Sequence, residues 1–148
     1  MESSPVRVLV VANQTAATPA LLNAVRERAG RDGPPCTFTL LVPVAAHGLD
    51  RVLNPDAVSD AEATAVLTDA LPKLSEAAGS EVVGRVGDHE PLSAVQDAVN
   101  TVGFDEIILS TLDHRVSRWL HLDLPRKVAA LGLPVTTITA GSREAAHA

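Results

Sequence analysis

The fold turns on residues 6–12, Val6-Arg7-Val8-Leu9-Val10-Val11-Ala12. Apart from Arg7 the run is continuously apolar, the pattern of a strand covered on both faces, as in a parallel sheet flanked by helices. Working outward, Thr18-Pro19 supplies an N-cap residue followed by proline at the first helical position. Leu21, Leu22, Val25 and Ala29 then recur at helical spacing, and Gly30 supplies a stop. Thr37 to Val42 reads as a second strand ending near Pro43, reached through the turn Asp32-Gly33-Pro34-Pro35.

The rest of the chain repeats this alternation. Ala45 to Val58 reads as a long surface loop, and Ser59 with Glu62 forms a capping-box signature. The helix it opens carries Leu67, Leu71, Leu74 and Ala78 on one face, ends at Gly79, and is expected to kink or break near Pro72. Glu81 to Val86 is a third strand closed by Gly87-Asp88. Leu92, Val95, Val99 and Val102 mark a helix from about Pro91 to Gly103. Glu106 to Thr111 is the fourth strand and Leu133 to Thr139 the fifth, with Leu124, Val128 and Leu131 on a helix between them that ends at Gly132. Strands alternating with helices predict an α/β three-layer sandwich, a Rossmann-like parallel sheet with helices on both faces. There is no internal repeat and no linker, so residues 1–141 read as one domain and 142–148 as a polar tail.

Composition narrows the function classes. The 148 residues are 46% hydrophobic with a formal net charge of −6, enough chain for one core without staples. Cys36 is the single cysteine, which excludes an internal disulfide and a thiolate-rich zinc site. The acidic balance and a mere three aromatic residues argue against nucleic acid as a partner. No apolar run is long enough for a membrane span and the N-terminus lacks the build of a signal peptide, so a cytoplasmic protein is expected.

In open α/β sheets ligands bind beyond the carboxyl ends of strands, where strand order reverses. Strand 1 is central in either common doubly wound order, and its exit loop is Ala12-Asn13-Gln14-Thr15. The loop after strand 4 runs from Ser110 to His121. If strand 4 pairs with strand 1, two polar loops face each other across the crevice.

From Arg7 to about Ala140 the layout resembles the universal stress protein (UspA-like) family. The features that carry it are the first strand entering a short polar loop, Gly87-Asp88 after the third strand, DEIILST leading into a basic loop, and RKVAALG entering the last strand, LPVTTI. The resemblance implies a sheet of order 3-2-1-4-5, a role in stress response, and ATP binding as in many members. Those members carry Gly-x-x-Gly, nine residues, then Gly-Ser/Thr after strand 4, because bare main chain lets amides approach phosphates. This chain has no glycine between Gly103 and Gly132. Ser110 or Leu112, Arg115, and Leu122 with Asp123 stand at the matching positions, and Asn13 stands where relatives hold the nucleoside with aspartate. ATP is therefore disfavoured as a cofactor, and no other cofactor is implied. What remains is a non-standard nucleotide or anion site, with Ala12, Asn13, Val42, Asp88, Ser110, Thr111, Arg115 and Arg118 as candidates. Guanidinium forks grip a phosphate without close backbone approach. Arg126 and Lys127 read instead as a solvated helix face.

The other candidates carry less. Ser110, Asp113 and His114 lie too close in sequence to form a nucleophile, base and orienter chain, so no catalytic residue is assigned. The histidines lack a metal-ligand spacing, so no metal site is assigned. Trp119 reads as a core or interface residue and Cys36 as an inert small hydrophobe. The leading reading is a non-catalytic homodimeric module. The alternative is a small enzyme of the adenine-nucleotide hydrolase-like group acting on a phosphorylated substrate. The resemblance places the dimer interface on Pro134, Val135, Thr136, Thr137 and Ile138, where an apolar edge strand invites pairing.

Overall fold

A computed structural model describes residues 5–13, 15–30, 35–44, 60–87, 91–112, 118–121 and 123–139. Along the chain come β1 (Val6–Val11), α1 (Pro19–Ala29), β2 (Cys36–Pro43), α2 (Asp60–Ala78), β3 (Val83–Gly87), α3 (Pro91–Thr101), β4 (Glu106–Thr111), α4 (Arg118–His121), α5 (Leu124–Ala129) and β5 (Val135–Thr139). The strands form one parallel sheet in the order β3-β2-β1-β4-β5, the order that the resemblance implied. The loop expected at Ala45 to Val58, the capping role of Ser59 and the polar tail lie outside the described residues.

The central strand explains the layering. Val8, Leu9, Val10 and Val11 are all fully buried, as a strand roofed on both faces must be. Val8 and Val10, with Phe38, Leu40 and Val42 of β2, meet Leu21 and Val25 of α1 and Ala70 and Leu74 of α2. Leu9 and Val11, with Leu41, Ile107 and Leu109, meet Ala94, Val95 and Ala98 of α3, Leu124 and Val128 of α5, and Trp119. The continuous apolar run thus feeds two cores at once, and Trp119 is a core residue.

Three local expectations change, and the stop at Gly30 holds. Thr18 precedes α1 in an extended conformation, but its hydroxyl donates to the Thr15 carbonyl (2.9 Å) and does not cap the helix. Gly30 does end α1, in a right-handed conformation. α2 runs unbroken through Pro72. Its buried stripe is Ala63, Ala70, Leu74 and Ala77, while Pro72 and Thr68 are exposed, so water can satisfy the Thr68 carbonyl that loses its partner. On α3 the buried residues are Ala94, Val95 and Ala98, and Val102 lies past the helix end, exposed.

Polar ties pin the amino end of the sheet. The Arg7 backbone N–H donates to Asp105 Oδ2 (2.9 Å), the Asp105 N–H returns a bond to the Arg7 carbonyl (2.8 Å), and Arg7 Nη1 reaches the Val102 carbonyl (3.0 Å). Arg28 at the end of α1 is ion-paired through Nε with Glu106 at the start of β4. That hydrogen bond raises the guanidinium pKa of Arg28 against the opposing effect of burial. Cys36 is a free thiol close to the Arg28 carbonyl. With these ties at one end, the carboxyl end is left for the loops.

Candidate functional site

Direct parallel pairing of β1 with β4, Val8↔Glu106 through Val11↔Leu109, sets the loops after the two strands side by side. Strand order reverses between β1 and β4, the point at which a ligand crevice is expected, with β2 and β5 on either side. At this point lie Asn13 and Thr15 from the first loop and Ser110 and Thr111 from the end of β4. These four are the buried polar residues among the described residues.

Thr15 and Ser110 are joined directly. Thr15 Oγ1 and Ser110 Oγ lie 2.6 Å apart, a buried hydroxyl pair bridging ninety-five positions of sequence. Either oxygen can donate, and the partner accepts. The first loop is wound tightly around this point: Ala16 N–H donates to the Asn13 carbonyl (3.2 Å) and Thr18 N–H to the Thr15 carbonyl (3.2 Å). On the other side the Thr111 hydroxyl donates to the Leu112 carbonyl (3.0 Å).

The remaining candidates separate. Ala12 and Val42 are fully buried, with side chains in the core shared with α1 and α2. Arg118 begins α4, and its side chain lies outside the described residues, as do Asp88 and Arg115. Arg126 is exposed and meets Asp123 (Nη1 to Oδ2, 3.3 Å), and Lys127 is exposed beside it, a solvated face as expected. Asp123 itself adopts a left-handed conformation, φ 59°, at the entry to α5. It is the non-glycine residue with positive φ among those described, and it stands at the Ser/Thr position of the closing Gly-Ser/Thr that the resemblance expects. Thr15 is the residue that sequence reasoning did not single out. Its signal was only its place in the polar loop after strand 1.

A phosphate held in the manner of a glycine-rich loop needs main chain without Cβ atoms at its floor. The end of β4 instead carries the Ser110 and Thr111 side chains, both buried, and the Ser110 hydroxyl is engaged with Thr15. At Ser110, one of the positions matched to the motif's glycines, a side chain thus stands where that manner of binding has bare main chain. No group of three His, Cys, Asp or Glu side chains is placed to hold a metal ion among the described residues.

Solved structures share this architecture. A universal stress protein in complex with cAMP matches with a TM-score of 0.62 at 16% identity, covering 94% of this chain and 100% of that one. A universal stress protein from Archaeoglobus fulgidus matches with a TM-score of 0.60 at 17% identity, covering 90% and 93%. A protein described as hypothetical matches with a TM-score of 0.61 at 18% identity, covering 90% and 95%. No protein-family model matches the chain, and no curated protein does. The fold is thus the one found in universal stress proteins. No helix among the described residues is long and apolar enough to cross a membrane.

Proposed function

We propose that this chain is a universal stress protein-like module of the stress response that performs no chemistry of its own. It pairs with a second copy through β5 and takes at most a nucleotide or small anion in a non-standard way at the loops after β1 and β4. The observation that carries this reading is the Thr15–Ser110 hydroxyl pair, which engages the Ser110 side chain at a position where the glycine-rich motif has bare backbone. Arg115 and Arg118 supply the charge for an anion, which guanidinium groups grip from a distance that bare backbone does not require. The universal stress protein solved with cAMP makes a nucleotide the first ligand class to try.

Pairing through β5 is supported by the contrast between the two sheet edges. β3 carries Arg85 between Val83 and Val86, a charge of the kind that blunts an edge, whereas β5 has no charged residue. Thr136 and Thr137 are exposed on β5, while Val135 and Ile138 are half-buried.

Two measurements test the reading. Freshly purified protein is denatured and its supernatant assayed for nucleotide, and thermal unfolding is followed with ATP, cAMP and inorganic phosphate. A ligand at a hundred times its Kd adds about 2.7 kcal/mol. The expected result is no co-purified ATP, a small shift at most, and loss of any shift in Arg115→Ala. Tightly held ATP, or phosphate release above a blank that disappears in the same variant, overturns the non-catalytic assignment.

A further inference from the structure

The β3 edge of the sheet carries exposed apolar surface. Val83 is 56% exposed, the highest value for a large apolar side chain among the described residues, and no residue of β3 is buried. The faces of the strand follow from its neighbours. Val82 belongs to the core shared with α1 and α2, and a Cβ at Gly84 would meet Leu67 and Leu71 of α2. Alternation therefore puts Glu81, Val83 and Arg85 together on the opposite face. On that face α3 begins over Gly87 and ends beside β1, where Arg7 holds the Val102 carbonyl, so the amino half of β3 lies outside its cover.

An acid and a base thus stand at equal distances on either side of an exposed valine. Glu81 and Arg85 are four positions apart, ~13 Å along an extended chain, too far to pair within one strand. Neither side chain makes an ion pair or hydrogen bond among the described residues. From this arrangement we infer that the β3 edge pairs antiparallel with the β3 edge of a second copy, around a two-fold axis at Val83. Val83 then faces Val83, and Glu81 of each copy faces Arg85 of the other at the short cross-strand spacing where opposite charges attract. On the other face Val82 comes opposite Gly84, which has no side chain to collide with it. The chain is already fixed where it enters the strand, since the Ser75 hydroxyl accepts the Val82 N–H (2.9 Å), so pairing orders little that is loose. Arg85 sets the register. Alignment centred on Arg85 opposes like charges, and a slip of one residue turns every side chain to the wrong face. The arginine that blunts this edge against other alignments permits this one. The contact is short and its charges lie at the rim, so it is weak and adds to pairing through β5 without replacing it.

The full chain carrying Thr137→Lys isolates this edge from β5, and amide spectra are recorded by NMR from millimolar to micromolar protein. The Val83–Gly87 amides are expected to shift with concentration while those of Val135–Thr139 stay. Glu81→Lys and Arg85→Glu each replace two attractions by two repulsions, and each is expected to weaken the association roughly tenfold. Combined in one chain they exchange the charges, and association returns to within about twofold of the parent. A folding defect cannot produce that recovery. Constant β3 shifts at every concentration, equal association in all four proteins, or loss without recovery in the combined variant overturns the inference. Sedimentation of the chain without Thr137→Lys, at the same concentrations, separates this pairing from the one through β5. Species larger than a dimer support both edges. Concentration-dependent β3 shifts in a chain that never exceeds a dimer, with or without Thr137→Lys, sink the β5 reading while β3 pairing stands.

Discussion

Two glycines of β3 show what a missing Cβ does here. At Gly87 an added Cβ would lie 2.8 Å from Ala94 Cβ and 2.9 Å from Leu41 Cδ1, so α3 can approach the sheet only because position 87 is bare. At Gly84 the nearest atoms are Leu67 Cδ2 at 2.7 Å and Leu71 Cδ1 at 3.0 Å, the ends of side chains that can rotate. Overpacking costs about 1–3 kcal/mol, and Gly87→Ala is expected near the top of that range with Gly84→Ala near the bottom, because Ala94 Cβ is fixed to its helix. Urea denaturation of both variants checks the order. Asp123 offers the converse case. It holds φ 59° with a side chain that can bond locally, so Asp123→Ala is expected to lose about 1 kcal/mol while Asp123→Gly stays within about 0.5 kcal/mol of wild type. Equal losses in the two variants would show that the side chain, and not the backbone angle, matters.

At the scale of elements, α2 decides whether a helix-breaking residue breaks a helix. Pro72 lies on the solvent side, and the stripe through Ala63, Ala70, Leu74 and Ala77 packs on β2 and β3 regardless of one missing backbone bond. Proline costs about 3 kcal/mol relative to alanine in a helix interior, part of which is returned by its stiffness when unfolded. Pro72→Ala is therefore expected to raise stability by at least about 1 kcal/mol, seen as a higher urea midpoint at unchanged slope. The Arg28–Glu106 pair links α1 to β4 across the amino end. Because the Arg28 pKa is raised in the folded state by ionised Glu106, its share of the stability is present at neutral pH and is lost as the pH rises through the guanidinium range. Glu106→Gln keeps the shape and removes the charge, and is expected to cost about 1–2 kcal/mol by chemical denaturation at neutral pH. No loss would mean that the pair is screened by water.

For the whole molecule, the question is which edge of the sheet is open. If β5 pairs with a second copy, folding and association are linked, so the melting temperature rises with protein concentration. Thr136→Lys and Thr137→Lys place charges on that edge. Each is expected to give a monomer by sedimentation and a melting temperature independent of concentration, with the monomer fold intact by circular dichroism. A dimer that survives both substitutions moves the interface elsewhere, with the exposed Val83 and Val86 of the β3 edge as the next place to look.

Much of this architecture was legible in the amino-acid order, because the signals are local. The apolar run at 6–12, proline after threonine at 18–19 and the positive-φ glycines 79, 103 and 132 after helices each act within a few residues, and together they demand strands alternating with helices. Strand order was reached through resemblance, since periodicity says what each segment is and not which segment lies beside it. Contacts between distant segments were decided by the fold alone. Nothing near Thr15 points to Ser110, and nothing near Gly87 points to Ala94, because those neighbours arise when parallel pairing of β1 with β4 and the docking of α3 bring remote residues to one place. Pro72 belongs to the same class: its local signal says stop, and the apolar stripe against the sheet outweighs it by burying more than one lost hydrogen bond is worth.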